Sequence, residues 1–149
     1  MRGAPHRIPL AVLAAALAMT ASGCAGADEI DPQLCQRFES DWDDFVVSLS
    51  TDPSSAATRE LRDAVRQSWQ EAAEGPGLSK ELSALVPVLD RDLMLAWNGL
   101  GSPATMDSFW NGMDIVADRC SAVDSPVTFS GRDLHLAPRE PKPALGSAG

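Results

Sequence analysis

Apolar residues recur at helical spacing in four separate segments of the chain. In the first segment, successive large apolar residues lie three or four positions apart, at Leu34, Phe38, Trp42, Phe45 and Leu49. This spacing places their side chains on one face of a helix and the charged residues between them on the opposite face. Three later segments repeat the pattern, centred on Val65, Leu89 and Met113. The pattern predicts four amphipathic helices.

Each segment is preceded by a helix-start signal. Three of the starts combine an N-capping residue with a proline, whose missing N–H would have no partner at the first helical position. These starts are Asp31-Pro32, Asp52-Pro53 and Ser102-Pro103, and Ser79 is the capping residue of the remaining segment. The predicted helices cover residues 32–50, 53–74, 79–98 and 103–123.

Two residues interrupt this periodicity. Pro87 removes one backbone hydrogen bond within the third segment, and because the apolar spacing continues across it, we expect a kink rather than a break. Gly112 follows Asn111 in the fourth segment, and this pair often forms a turn. Because Gly112 falls on the apolar face, it would instead let a neighbouring helix approach closely, and we predict one continuous helix.

The helical pattern ends at Asp124. Prolines and glycines are spread through the remaining residues, which we predict to be a mostly disordered, flexible tail from 124 to 149. Two brief apolar patches, at 127–129 and 134–136, could lie against the domain. The end of the chain, from Ala137, has no such patch and should be disordered.

The first residues of the chain have the pattern of an export signal. Residues 1–7 carry two arginines and no acid, and residues 8–19 are apolar throughout. A charged start before a short apolar run is typical of secretory signals. The run is shorter than the roughly 20 residues that a permanent helix needs to cross a membrane.

Small residues then stand immediately before a cysteine, in the order Ala21-Ser22-Gly23-Cys24. This stretch resembles the lipobox of bacterial lipoproteins, in which Leu is commonest at the position of Ala21. The resemblance implies a signal peptide of residues 1–23 and a diacylglyceryl group, carrying fatty acids such as palmitate, on Cys24. It also implies residence on the extracytoplasmic face of the cell membrane.

In this interpretation residues 24–30 form a short tether between the lipid and a domain of residues 31–123. Two acyl chains on Cys24 would satisfy the requirement that stable anchoring takes more than one chain. The alternative is an ordinary secretory cut after Ala27, at the site Ala25-Gly26-Ala27, which would discard Cys24.

The charge of the exported part limits its partners. After residue 23 the chain has ten basic and 21 acidic residues, which is a net charge of −11. Such a surface repels phosphate backbones and anionic lipid headgroups. We therefore expect no nucleic-acid partner, and attachment to the membrane by lipid rather than by charge.

Two cysteines remain once Cys24 is assigned to the lipid, and in an oxidising compartment such a pair is usually a disulfide. Four helices with short connections favour an antiparallel up-down bundle, in which the first and fourth helices are neighbours. Cys35 lies in the first turn of the first helix and Cys120 near the end of the fourth, so they would meet. The predicted fold is all-α, a disulfide-stapled antiparallel four-helix bundle.

No group of residues indicates catalysis, a metal site or a cofactor. Activation of a nucleophile needs a base, and the only histidine after the signal is His135, in the tail. The acids of Asp41-Trp42-Asp43-Asp44 and of Asp90-Arg91-Asp92 are interpreted as exposed helix faces. Each predicted helix also carries one tryptophan, which we interpret as a core residue, with an apolar ligand pocket as the alternative.

Two functions remain. The first is a non-enzymatic, lipid-anchored module that binds an envelope protein or a small apolar ligand. The alternative is an accessory or inhibitor-like domain acting on an envelope enzyme or channel. A small hydrolase ranks behind both.

Overall fold

The computed structural model describes residues 30–136, which contain four α-helices: α1 (Pro32–Thr51), α2 (Ala56–Glu74), α3 (Lys80–Trp97) and α4 (Pro103–Ala122). The helices pack into a bundle around one core, which confirms the all-α prediction. The predicted signal peptide, Cys24, the tether up to residue 29 and the residues from 137 onward lie outside the described part.

Capping side chains begin three helices where the sequence predicts. Asp31 accepts a hydrogen bond from the backbone N–H of Gln33 at 2.8 Å, and Ser79 accepts one from that of Leu82 at 3.2 Å. Ser102 forms a reciprocal capping box with Thr105 at the start of α4. These bonds satisfy N–H groups that have no partner within the helix.

The predicted start of α2 at Pro53 is wrong, because Ser55 caps this helix instead. Ser55 accepts from the backbone N–H of Thr58 at 3.0 Å. Asp52 cannot serve as this cap because it closes α1, where its N–H bonds to the carbonyl of Ser48 at 2.9 Å. Thr58 is fully buried and donates to the carbonyl of Asp52 at 2.7 Å, which fixes the turn between the helices.

The two interruptions in the sequence pattern leave their helices intact. α3 runs through Pro87, which lies on its exposed side, where water can bond the backbone group that proline leaves without a partner. α4 is continuous through Gly112. A Cβ atom there would lie 2.6 Å from Cδ2 of Leu89, so Gly112 lets α3 and α4 approach closely, as its place on the apolar face predicts.

An aromatic cluster fills the core. Trp42 is fully buried at its centre, with ring centroids 5.5–6.4 Å from those of its four aromatic neighbours, Phe45, Trp69, Phe109 and Trp110. All four tryptophans of residues 30–136 are buried, which confirms the interpretation of these residues as core. Aromatic pairs at such distances add stability beyond the area that they bury.

The predicted disulfide is present. Cys35 and Cys120 are bonded, with 5.7 Å between their Cα atoms, and neither is exposed to solvent. The bond ties the first turn of α1 to the last turn of α4 across 85 positions of sequence. A loop of this length is stabilised by about 4.5 kcal/mol in the chain-entropy model.

The segment after α4 belongs to the folded domain, which corrects the predicted domain end at 123 and the predicted flexible tail from 124. We call residues 125–136 the C-terminal strap. Its apolar residues Val127, Phe129 and Leu136 are buried in the core. The backbone N–H of Thr128 donates to Glu39 at 2.7 Å, so the strap lies along α1.

The strap also contacts α4. Arg132 pairs with Asp114 and places its guanidinium carbon 4.8 Å from the ring centroid of Trp110. Gly131 has a φ of +91°, a conformation that glycine adopts at no steric cost, and it turns the strap against Val46. The strap therefore bridges α1 and α4 and completes the wall of the bundle between them.

Candidate functional site

An open groove lies at the end of the bundle where the described chain begins. Residues 30–37 form one wall and residues 71–80 form the other, and the space between them measures about 920 Å³. We call this space the end groove. Its volume falls within the range of about 300–1,000 Å³ that is usual for ligand sites.

The end groove exists because α2 stops abruptly. The N–H of Gly75 bonds to the carbonyls of Glu71 and Ala72 at 3.1 and 3.2 Å, which closes the last turn. Pro76 cannot continue the helix, because its nitrogen carries no hydrogen to donate. Gly77 lacks a side chain where a Cβ atom would lie 2.7 Å from Cδ1 of Leu34, so the wall at this point is bare backbone.

The first described residue is fixed to this wall. Ile30 is 2% exposed and forms an isolated antiparallel bridge with Leu78. Next to the bridge, the backbone N–H of Asp31 donates to the carbonyl of Gly77 at 2.9 Å. Ile30, which was predicted to lie in the tether, is therefore part of the domain.

One ion pair crosses between α1 and α2 at the edge of the groove. Arg37 donates to Glu71 at 2.9 Å, and Gln67 donates to the same carboxylate at 2.8 Å. These two hydrogen bonds lower the pKa of Glu71 below its ordinary value, and the bond from Arg37 has the larger effect. The pair is exposed, so it orients the two walls more than it stabilises the fold.

Lys80 also lines the groove. This side chain is exposed and forms no salt bridge with any residue between 30 and 136. The end groove therefore combines an apolar floor with the Arg37–Glu71 pair and with two charged residues, Asp31 and Lys80, that form no salt bridge within residues 30–136.

The groove does not continue into the core. Ile30 and Leu78 separate it from an interior space of about 10 Å³ whose walls are apolar, including Phe38, Trp69 and Met113. Such a space is about large enough for a single water molecule. The interior pocket among the tryptophans that the sequence left as an alternative would therefore be too small for an organic ligand, and a ligand of this end of the domain would lie in the open groove.

The structure places the other predicted site residues as follows. Cys24, the proposed lipid attachment, lies outside the described residues. Cys35 is the residue after the groove residue Leu34, and its partner Cys120 is buried beside it. His135 is exposed on the strap. Within residues 30–136, no three His, Cys, Asp or Glu side chains come together in a way that could hold a metal ion.

The prediction that Asp92 is exposed is wrong. Asp92 is 1% exposed, and while Arg91 bonds to its Oδ1 at 2.9 Å, its Oδ2 has no hydrogen-bond partner. The residue lies three positions after Leu89 and four before Ala96, both of which are buried. Helical spacing therefore indicates that Asp92 is on the buried face. The neighbouring charges Asp90 and Arg91 favoured the interpretation of an exposed face instead.

Two other acids make specific contacts. Asp90 accepts two hydrogen bonds from Arg66 of α2, at 2.5 and 3.2 Å, and this contact raises the pKa of Arg66 further above its usual range. Asp43 accepts from the hydroxyl of Ser130 at 3.0 Å and so helps to hold the strap. Asp90 is therefore partly buried rather than fully solvated, whereas the contact of Asp43 lies at the surface.

No helix of residues 30–136 is both long enough and apolar enough to span a bilayer. No family model matches the chain, and no curated protein or solved structure shows significant similarity to it.

Proposed function

We propose that this chain is a non-enzymatic binding module, attached by lipid at Cys24 to the outer face of the cytoplasmic membrane. The observation that supports it is the position of the end groove. The groove opens where the chain arrives from the proposed anchor, since Ile30 is itself part of its wall. Residues 25–30 span at most about 20 Å when extended, so the groove would lie within that distance of the membrane surface.

Lipid is the attachment that best suits this chain. The part after residue 23 has a net charge of −11, which disfavours adsorption to anionic headgroups. Two acyl chains on one cysteine provide stable anchoring where one chain is marginal.

We further propose that the bundle is antiparallel. The disulfide between the start of α1 and the end of α4 supports this arrangement, as do the short connections at 52–55, 75–79 and 98–102. In such a bundle the end groove, the disulfide and the tether share one end, and the exposed Leu100 lies at the other.

The partner that we propose is an extended segment of an envelope protein. The groove is open between two walls, and its backbone at Gly77 already pairs with extended chain at Asp31. Pairing of main-chain groups beside an apolar floor is a common way of binding peptides. If the segment belongs to an enzyme or a channel, the module would be the accessory or inhibitor-like domain of the alternative hypothesis.

Photo-crosslinking in cells that carry the anchored protein would test this function. A photoreactive residue is placed at Pro76, which is exposed in the groove wall, and in a matched variant at Val47, which is 64% exposed on α1. We expect an adduct with a membrane-associated protein at position 76 and none at 47.

Two further variants make the result specific. Gly77→Val narrows the groove, since its side chain would meet Leu34, and should abolish the adduct at position 76. Cys24→Ala should lose the acyl mass that mass spectrometry finds on the membrane-extracted parent protein. Equal adducts at 76 and 47, or an adduct unaffected by Gly77→Val, would refute the groove as binding site. A membrane-extracted parent protein without acyl mass on Cys24 would refute the anchor.

A further inference from the structure

Both asparagines of the sequence are followed by glycine, at Asn98-Gly99 and at Asn111-Gly112. In this dipeptide the backbone nitrogen of the glycine can attack the side-chain carbonyl carbon of the asparagine, because glycine has no Cβ atom to obstruct the approach. Both asparagine side chains are exposed, so water reaches them equally. The two pairs are chemically alike, and a difference in their reactivity would come from the fold around them.

The first pair lies where α3 ends. Asn98 is the residue that follows the last helical residue, and Gly99 has a φ of +70°. Within residues 30–136, no atom lies within 4 Å of the point where a Cβ atom of Gly99 would stand. The N–H of Gly99 is held by a bond of the last turn, to the carbonyl of Ala96 at 3.1 Å. Helix ends open at little cost in free energy, which releases this nitrogen for attack.

The second pair lies in the middle of α4 (Pro103–Ala122). Attack by the nitrogen of Gly112 would require the helix to open on both sides of it. Gly112 is also buried, and a Cβ atom there would lie 2.6 Å from Cδ2 of Leu89 and 3.4 Å from Cδ1 of Leu85. The packing of α4 against α3 therefore leaves no room for a ring at Asn111-Gly112.

We propose that Asn98 is a site of spontaneous deamidation and that the fold protects Asn111 from the same reaction. The nitrogen of Gly99 forms a bond to Cγ of Asn98 and gives up its proton, and the side-chain nitrogen leaves as ammonia. Water then opens the cyclic imide. Cleavage of the new bond to Cγ yields an aspartyl residue, and cleavage of the original peptide bond yields an isoaspartyl residue. Water is the only co-reactant, and no group is oxidised or reduced.

The reaction would weaken the end of α3. The side-chain N–H of Asn98 donates to the carbonyl of Met94 at 2.8 Å, and a carboxylate cannot make this bond. The new negative charge would also lie at the C-terminal end of the helix, where the helix dipole disfavours anions. Loosening would reach the next residue, Leu100, whose N–H bonds to the carbonyl of Leu95 at 2.8 Å and whose side chain is 71% exposed.

Peptide mapping by mass spectrometry, after incubation of the purified protein at mildly alkaline pH, tests the proposal. We expect the acid and the isoaspartyl form to accumulate at position 98 at least about tenfold faster than at 111, because the middle of a packed helix opens far less often than its end. The matched control is the same chain unfolded in urea, in which both positions should react at similar rates. Asn98→Gln should abolish the reaction at 98 and leave position 111 unchanged.

A second measurement tests the consequence. In Asn98→Asp, hydrogen exchange at the Leu100 amide should be faster than in the parent protein, whereas exchange at the Met113 amide within α4 should not change. Reaction at 111 as fast as at 98 in the folded protein would overturn the proposal. So would an unmodified position 98 after a time in which the unfolded chain has reacted. Unchanged exchange at Leu100 would overturn the predicted loosening of α3.

Discussion

The indole N–H of Trp42 donates to the carbonyl oxygen of Ser130 at 2.8 Å, across 88 positions of sequence. This bond joins the centre of the aromatic core to the middle of the C-terminal strap. Trp42 is fully buried with the strap in place, so the Ser130 carbonyl is the partner that satisfies its N–H. The strap therefore supplies a hydrogen-bond acceptor to the core as well as covering it.

Trp42→Phe should lower the free energy of unfolding by about 2–4 kcal/mol, because it removes this hydrogen bond and leaves a cavity among the stacked rings. Urea unfolding followed by circular dichroism measures the change. Limited proteolysis should also cut the strap of the variant sooner than that of the parent. The matched control is Trp110→Phe, since the buried N–H of Trp110 has no partner to lose. Equal losses in the two variants would show that the bond to Ser130 contributes nothing.

Replacement of both bridge cysteines, Cys35→Ala with Cys120→Ala, should destabilise the domain by about 4.5 kcal/mol in the chain-entropy model. That is a large share of the roughly 5–15 kcal/mol that stabilises a typical domain. Thermal unfolding should show a markedly lower midpoint. In the parent protein, a reductant without denaturant should leave the bond intact, because both cysteines are fully buried. Free thiols in the exported protein, found by mass spectrometry, would contradict this account.

Arg91→Ala should destabilise the protein by about 1–2 kcal/mol, because it removes the hydrogen-bond partner of the buried carboxylate of Asp92. Most of this cost should be absent when Arg91→Ala is made on an Asp92→Asn background, where no buried charge needs a partner. Arg119→Ala is the control, since Arg119 forms no salt bridge within residues 30–136. Additive effects of Arg91→Ala and Asp92→Asn on unfolding would argue against the coupling.

The Arg37–Glu71 pair predicts a specific pH dependence. Arg37 lowers the folded-state pKa of Glu71. The pair's contribution to the free energy of unfolding is therefore complete above the ordinary carboxyl value of 4.5, and it is lost as the pH falls through the lower folded-state value. NMR titration of the Glu71 carboxyl carbon should show this low midpoint. In Arg37→Ala the midpoint should rise towards 4.5. A midpoint unchanged by this substitution would mean that Arg37 is not the cause.

Local physical rules account for most of what the sequence predicted correctly. Helical periodicity and capping give four helices close to their observed bounds, because these signals act within one or two turns of chain. The disulfide could be predicted because one assignment, that of Cys24 to lipid, left Cys35 and Cys120 as the remaining pair. The start of α2 was missed because Asp52 resembles a cap in sequence but is already used to end α1.

What the sequence did not predict depends on contacts between distant residues. Val127 and Phe129 alternate with polar residues over too short a stretch to distinguish a packed strap from a loop with apolar side chains. The strap's hydrogen-bond partners on α1, Glu39 and Asp43, are acids. From sequence alone such residues are interpreted as exposed helix positions. The end groove has no motif at all, because it arises from the way that α2 ends beside the start of α1.

The strap has a consequence for the order in which this protein matures. In the export that we propose, residue 24 would reach the membrane long before Val127 and Phe129 emerge, yet the bundle between α1 and α4 is incomplete without these two residues. Until the strap has packed against α1, the aromatic side of this helix is open to water, to other chains and to proteases. Lipid attachment at Cys24 would thus occur on an unfinished domain, and completion of the fold would wait for the last residues of the strap to cross.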